Sequence, residues 1–352
     1  MKLSIGIPAY NRPIELEEAL NSIVSQCTND VEVLISEDAS PLQNEIARVV
    51  TDFKNRFPKL HIIYFANSHN LGYDANLRSL LSKCSGEYVL FMGDDDRLLP
   101  NAIEKILLAI EKSDIGVILR AWQSFNSVND EVLDVHHYFK GDRFFKYGQD
   151  AIASFFRRSV FISGLVVRRQ DAKELDSSIF DGLLLYQLYL VGMILIKSNG
   201  YYIDDLIVER RSGAEHFFGT SSAEKKSFEP NKLTPAHSIK FLSGLFIIAN
   251  HLDKYSQGVS EKILKDLCRY SYSMLEIQAV RLSRFHFFKY SVALSRLGFS
   301  KSPVFWLYTL GLLIFGPYLC NQLIRLIVKT LGFTPLLGGA SGDDGEISLH
   351  KS

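Results

Sequence analysis

Apolar and polar residues alternate from the first residues: Leu3, Ile5 and Ile7 are separated by Ser4 and Gly6. That period of two predicts a strand ending at Pro8. After Pro13 the period lengthens, and Leu16, Ala19, Leu20, Ile23 and Val24 recur at helical spacing. The exchange then repeats. A strand over 31–35 runs into Ser36-Glu37-Asp38, and a helix follows through Ile46, Val49, Val50 and Phe53. A third strand over 61–65 precedes a helix with Ala75, Leu77, Leu80 and Leu81. A fourth, Tyr88-Val89-Leu90-Phe91, precedes a helix with Ile103, Ile106, Leu107 and Ile110, and a fifth strand covers 116–121. Strands alternating with helices of this length predict right-handed βαβ units and an α/β fold with a mostly parallel central sheet.

Beyond residue 121 the pattern loosens. Residues 161–167 and 201–208 read as strands, with an apolar helix over 180–196 between them. From about 232 the pattern is helical and basic, with no strong strand signal. The expected organisation is an α/β domain over 1–229, a basic helical region over 230–300, a hydrophobic segment over 301–329 and a flexible polar tail over 330–352, which holds the Gly-rich stretch 338–345.

The hydrophobic segment shifts attention to membranes. Residues 302–324 carry no formal charge, a length that can span a bilayer. Gly316-Pro317 near its middle, with Asn321 and Gln322, fits a kinked or re-entrant path as well. Just upstream, a helix over 281–299 would align Phe285, Phe288, Val292 and Phe299, with Arg284, Lys289 and Arg296 beside them. The chain's net charge of zero hides an asymmetry: residues 1–229 hold 25 basic against 32 acidic residues, and residues 230–329 hold 13 against 4. A basic, aromatic-rich C-terminal third predicts an anionic membrane surface as partner, and no nucleic acid. The 47% hydrophobic and 12% aromatic content excludes a largely disordered chain. Cys27, Cys84, Cys268 and Cys320 form no Cys-x-x-Cys pair and read as reduced thiols, and no secretory signal opens the sequence. The expected location is the cytoplasmic face of the inner (plasma) membrane.

Chemistry enters where the fourth strand runs into Gly93-Asp94-Asp95-Asp96. Adjacent carboxylates repel, so such a run at a strand end suits a bound cation. Ligands of open α/β sheets sit beyond the carboxyl ends of strands. Three further polar loops fall at such ends: Pro8-Ala9-Tyr10-Asn11-Arg12, Ser36-Glu37-Asp38-Ala39-Ser40 and Asn67-Ser68-His69-Asn70-Leu71-Gly72. Four loops on one edge predict a nucleotide-binding crevice.

These residues resemble the family 2 glycosyltransferases of GT-A fold. The matching pieces are Ile7 to Arg12, Glu37-Asp38-Ala39-Ser40, Asn70-Leu71-Gly72 with Ala75 and Asn76, and Phe91 to Asp96 followed by Leu98-Leu99-Pro100. The resemblance is good over about residues 1–125 and looser to 215. Within the family the chain looks most like bacterial O-antigen sugar transferases, the abequosyltransferase-like group among them. It implies an inverting transfer of a sugar from a nucleotide-sugar donor to a hydroxyl of a glycan or polyprenyl-linked acceptor. It also implies substrate contacts from Pro8, Ala9, Tyr10, Arg12, Glu37, Asp38, Asn70, Gly72, Asp94 and Asp95, Asp38 and the first loop holding the nucleoside. A Mg²⁺ or Mn²⁺ ion is implied at Asp94, Asp95 and Asp96. The family usually has Asp where Gly93 stands, so which two of these carboxylates touch the metal stays open.

Inversion needs one more carboxylate to deprotonate the acceptor. Asp181, in Ile179-Phe180-Asp181-Gly182, is the expected base, against the plainer reading that it caps a helix. Asp204 and Asp205 are its rivals. Arg168-Arg169, Arg210-Arg211 and His216 are further candidates for phosphate or acceptor contacts. Two other classes stay open: a metal-dependent nucleotidyltransferase, whose basic Gly-rich phosphate loop the N-terminus lacks, and a non-catalytic membrane-bound nucleotide-sugar-binding protein.

Overall fold

The computed structural model describes residues 1–331 except 113, 231 and 233. The first half holds β1 (Leu3–Ala9), α1 (Pro13–Val24), β2 (Val31–Glu37), α2 (Gln43–Arg56), β3 (His61–Ala66), α3 (Tyr73–Lys83), β4 (Tyr88–Phe91), β5 (Arg97–Leu98), α4 (Ala102–Ile110) and β6 (Ile115–Asn126). Then come β7 (Val132–His136), β8 (Arg143–Phe145), α5 (Gln149–Phe156), β9 (Leu165–Arg168), α6 (Arg169–Glu174), α7 (Tyr186–Ile194) and β10 (Asn199–Ser212). The remainder is helical: α8 (Pro235–Asp253), α9 (Val259–Arg269), α10 (Tyr272–Arg281), α11 (Arg284–Arg296) and α12 (Pro303–Leu331).

The strands form one sheet in the order β3-β2-β1-β4-β9-β6-β10-β5, with β7 on β6 and β8 on β10. The alternation of β1 explains its placement. Leu3, Ile5 and Ile7 face a layer formed with α1, α2 and α4. On the other face Gly6 leaves no room for a side chain, since a Cβ there would lie 2.9 Å from Leu80 of α3. Buried Glu32 on β2 accepts from the Ser4 hydroxyl, from Ser85 N at 2.7 Å and Oγ at 2.8 Å, and from Gly86 N at 3.3 Å. Burial alone would raise its pKa, but these donors outweigh burial and hold it below the ordinary glutamate value.

The α/β architecture follows the sequence pattern, and the sheet is more mixed than the alternation implies. The pairings among β1, β2, β3 and β4, and between β6 and β10, are parallel. Strand β9 runs antiparallel to both its neighbours, β4 and β6. The reason is local: the chain enters β9 at the carboxyl end of β4, where Gly164 N donates to Phe91 O at 2.9 Å, and can only run back.

Other elements differ from expectation in length. The 180–196 helix begins only at Tyr186, because α3 grips the preceding turn. Asp74, buried on α3, accepts from Gly182 N at 2.9 Å, Leu184 N at 2.8 Å and Tyr186 N at 2.9 Å. The 281–299 helix breaks at Leu282, whose backbone is extended, and restarts at Arg284. The expected stripe therefore splits: Phe285 and Phe288 are exposed, while Phe299 is buried in a 3₁₀ turn. Helix α12 is kinked at Gly316 (φ 74°, ψ 165°), just before Pro317. It buries Phe305, Tyr308, Thr309 and Leu312, and leaves Leu307, Leu310, Ile314, Phe315 and Tyr318 exposed. Asn321 accepts from Tyr272 Oη at 2.7 Å and donates to Glu276 Oε1 at 3.1 Å, both on α10.

One hydrophobic cluster runs from Leu34 and Leu77 through α5 and α7 to Leu245, Tyr308 and Cys320. Packing is thus continuous across the expected division at 229/230. The tail expected over 330–352 lies, from residue 332 on, outside the described residues.

Candidate active site

The carboxyl ends of β1 to β4 meet at a cavity of about 550 Å³, within the size range of small-molecule sites. Of the positions singled out in the sequence, Pro8, Ala9, Tyr10, Arg12, Asp38, Asn70, Gly72, Asp94, Asp95 and Asp96 all line it. Parallel pairing causes this convergence, since it puts four strand ends on one edge. The chain turns sharply there: Asn11 and Ala39, just after β1 and β2, have left-handed φ of 62° and 51°. For Ala this conformation costs about 1–2 kcal/mol, strain of a kind that gathers at functional sites.

Asp38 builds the loop beside it. Its Oδ1 accepts from Leu71 N at 2.9 Å and Asn67 Nδ2 at 2.8 Å, and its Oδ2 from Gly72 N at 2.9 Å. Burial pushes its pKa up, partly offset by those donors. Gly72 has φ 88°, and a Cβ there would lie 2.4 Å from Ser221 Oγ, so only glycine fits. Glu37 is different. Its oxygens accept from Ala39 N at 2.9 Å and Ser40 N at 2.8 Å, so it closes its own turn and does not line the cavity.

The acidic run is held from three sides. Asp94 accepts from Tyr10 N at 2.9 Å and Arg12 Nη1 at 2.8 Å. Asp96 accepts from Ser163 Oγ at 2.5 Å and Arg211 N at 2.9 Å. Asp95 lies 3.4 Å from Arg12 Nη2, and its side chain is 19% exposed. Burial, with the Asp95 charge adding to it, pushes both Asp94 and Asp96 up to about 7, although Arg12 draws Asp94 down. Arg211 braces the run from behind, donating from Nε to Asp95 O at 3.0 Å and from Nη2 to Glu18.

A return loop after β10 completes the wall. Phe217 lies 5.9 Å from the Tyr10 ring and under the Arg12 guanidinium at 5.0 Å, and Arg12 donates to Glu215 O. Buried Glu224 fastens the loop, accepting from Tyr73 N at 2.7 Å, Gly219 N at 2.9 Å and Thr220 N at 3.2 Å. Arg210 and His216 line the cavity from exposed positions. Burial, Arg12 and Arg210 lower the His216 pKa, against the opposing pull of Asp95.

The structure does not bring Asp181 to the cavity. Arg78 of α3 holds both its oxygens, Nε to Oδ1 at 3.1 Å and Nη2 to Oδ2 at 2.6 Å. Nor does Asp181 cap α7, whose first turn Asp74 serves instead. Asp204 bonds His137, Gly141 and Tyr202, and Asp205 pairs with Lys105, also off the cavity. Arg168 pairs with Asp114 and Asp171, and Arg169 donates to Gly86 O. Sequence reading missed Ser163, Gln187, Glu224, Phe217 and Phe241 as cavity residues. Ser163, set before Gly164 where the chain reverses, was the most findable.

A mixed α/β sheet with polar loops and an acidic run at its carboxyl edge has the arrangement of a nucleotide-binding α/β domain. Residues 4–172 match the model of glycosyl transferase family 2. The chain is 34% identical over 107 residues to the GalNAc(5)-diNAcBac-PP-undecaprenol beta-1,3-glucosyltransferase of Campylobacter jejuni, covering 30% of this chain and 33% of that one. It is 38% identical over 105 residues to abequosyltransferase RfbV of Salmonella typhimurium, covering 29% and 31%. The chain thus matches about a third of the length of these curated relatives. The fold is shared more widely. S. aureus TarS 1-349 in complex with UDP-GlcNAc superposes with a TM-score of 0.60 over 84% of this chain and 80% of that one, at 16% identity.

Proposed function

We propose that this chain moves a sugar, with inversion, from a nucleotide-sugar donor to a hydroxyl of a glycan or lipid-linked acceptor in bacterial surface polysaccharide synthesis. One observation carries the reading: in a family 2 domain, the first-strand loop, Asp38, the Asn70–Gly72 turn and the acidic run line a single cavity. The relatives' names, one with an undecaprenol-linked acceptor and one an abequosyltransferase, support the acceptor and pathway class.

In this reading the Pro8–Tyr10 backbone and Asp38 hold the nucleoside. Arg12 and Arg210 face the diphosphate, where a guanidinium pairs well with phosphate oxygens. Among the described residues no group of three or more His, Cys, Asp or Glu side chains is arranged to hold a metal. Mg²⁺ or Mn²⁺ takes one or two carboxylates and completes its shell with substrate phosphates and water. Buried Asp94 and Asp96 offer hard-oxygen ligands of that kind, with Asp95 beside them. When bound, such an ion neutralises charge on the departing diphosphate. Asp181 serves as base in this scheme only if its Arg78 pair opens toward the acceptor. Transfer by Asp181→Asn within a few-fold of the parent would give the role to a cavity carboxylate.

The membrane reading rests on α12. Pro303–Ile324 is long and apolar enough to cross a bilayer, with 28% of it buried within the protein. One flank packs on α10, and the other presents Leu307, Leu310, Ile314, Phe315 and Tyr318. Together with exposed Phe285 and Phe288 and the basic α11, this favours a helix lying in the cytoplasmic membrane surface. The test of the main reading is thermal stabilisation by a panel of nucleotide sugars, with and without Mn²⁺, followed by transfer with the best donor. Absence of any shift with every nucleotide and nucleotide sugar would refute it.

A further inference from the structure

A cluster of charge stands behind the acidic run, and its centre, Glu18 of α1, does not line the cavity. Glu18 gathers two guanidiniums on one oxygen. Its Oε2 accepts from Arg97 Nε at 3.1 Å and Nη2 at 2.6 Å, and from Arg211 Nη2. Arg97 opens β5 directly after Asp96, and Arg211 lies near the end of β10. Both guanidiniums lie over the Phe125 ring, 4.2 and 5.0 Å from its centre. Burial would raise the Glu18 pKa, but the hydrogen bonds and charges of Arg97 and Arg211 outweigh it and hold the carboxyl below its ordinary value. Glu18 is therefore an anion at neutral pH.

The direction of the Arg211 side chain is the telling feature. Its main-chain N–H goes to Asp96 Oδ1 at 2.9 Å, and its Nε goes to the Asp95 carbonyl at 3.0 Å. The residue thus touches the acidic run twice, yet the carboxylate that its guanidinium pairs with is that of Glu18. Asp96 is left with neutral donors, the Ser163 hydroxyl and the Arg211 N–H. The Arg211 side chain is only 8% exposed, and a charge so placed is costly to leave unpaired. Arg97 has a second anion in Asp130, at 3.0 Å. Without Glu18, Arg211 would have the carboxylates of the two residues it already touches.

We propose that Glu18 is a positioning residue, which draws the Arg211 guanidinium away from the carboxylates of Asp95 and Asp96 and so keeps them open to a divalent cation. The inference rests on the metal-assisted nucleotide-sugar reading and adds to it a residue outside the cavity. A guanidinium turned onto Asp96 would make an ion pair that the dication has to displace, and would place a fixed positive charge beside it.

The test is a thermodynamic cycle on the full chain: parent, Glu18→Gln, Arg211→Met and the double variant. Mn²⁺ binding is read from the spin-resonance signal of the free ion, with UDP, GDP or dTDP present. Glu18→Ala repeats the cycle, since a Gln oxygen can still accept from a guanidinium. Circular dichroism and urea midpoints establish that each variant is folded under the assay conditions. Loss of the Glu18 carboxylate should weaken Mn²⁺ binding about tenfold or more. Arg211→Met keeps its main-chain N–H on Asp96 and should bind Mn²⁺ within about threefold of the parent; in that background the Glu18 substitution should change affinity less than about twofold. Unchanged affinity in both Glu18 variants would overturn the proposal. Equal losses in the two backgrounds would do so too, because a purely structural Glu18 acts whether or not Arg211 is present. A tenfold loss in Arg211→Met alone would mean that Arg211 supports the cation site and has no need to be drawn off it, which also overturns the proposal. If the parent binds no Mn²⁺ with any of the three nucleotides, the metal reading falls first and takes this inference with it.

Discussion

Asp74→Ala tests the joint between α3 and the turn leading into α7. Asp74 is 1% exposed, and its two oxygens serve three backbone N–H groups, those of Gly182, Leu184 and Tyr186. Truncation strands all three. A buried donor left unsatisfied costs about 1–3 kcal/mol. Leu184 borders the cavity, so water can reach its N–H, and the expected loss is about 3–5 kcal/mol, not the full sum of three. For a chain of this size, with m of about 3 kcal/mol/M in urea, the unfolding midpoint should fall by about 1–1.7 M. Fluorescence of Trp122, buried in the sheet and stacked on His136, reports the transition. Asp74→Asn should fall between parent and Ala, because its amide oxygen still accepts while its NH₂ faces a donor. A midpoint for Asp74→Ala within 0.3 M of the parent, that is about 1 kcal/mol at this m, would refute the argument.

Four further outcomes are expected. Asp38→Ala should weaken binding of free nucleoside diphosphate about tenfold or more by calorimetry, because it unties three bonds of the Asn67–Gly72 loop and removes the nucleoside contact proposed for it. Asp95→Asn and Asp96→Asn should each remove most transfer and its Mn²⁺ dependence while circular dichroism stays unchanged; near-normal turnover in chelator would exclude a metal role. Glu32 has a folded pKa below its ordinary value, so its stabilisation is present above about pH 4.3 and is lost as pH falls through the folded value. Urea midpoints of Glu32→Gln should accordingly converge on the parent's in acid and fall below them near neutrality. Leu310→Glu with Ile314→Glu, both on the exposed flank of α12, should abolish binding to anionic vesicles, and high salt should release the parent if it rests on the surface.

The N-terminal βα units were legible because each strand and helix carries a clean period and punctuation by Pro, Gly or Asp. The loops of the site were legible for the same reason: parallel topology fixes where strand ends lie. Strand direction was not legible for β9, since Leu165-Val166-Val167 reads the same either way and only the Gly164 reversal decides. Residues acting through burial were hidden as well. Asp74 sits in a helix whose apolar spacing gives no hint that it serves another element, and Arg78 claims Asp181 across about a hundred residues. Gln187 lies inside an apolar run where one amide reads as an interruption. Phe299 fell into the core because Gly298, at φ 117°, turns the chain away from the helix that periodicity extended through it.

The continuous hydrophobic cluster has a consequence for how the protein is made. Leu77, Phe155 and Leu188 share a core with Leu245, Tyr308 and Leu312, so early elements wait for partners synthesised more than a hundred residues later. Sheet neighbours wait too, β4 for β9 and β5 for β10. A nascent chain emerging at about 5–20 residues per second spends many seconds with α5 and α7 uncovered. Helices α9 and α8 then cover α5 and α7, and α12 packs on α9 and α10 with one flank while its other flank remains exposed and apolar. Packing of α12 therefore completes the shared cluster at the same step that presents its exposed apolar flank. Chains truncated before α8 or α9 should consequently aggregate, because α5 and α7 stay uncovered.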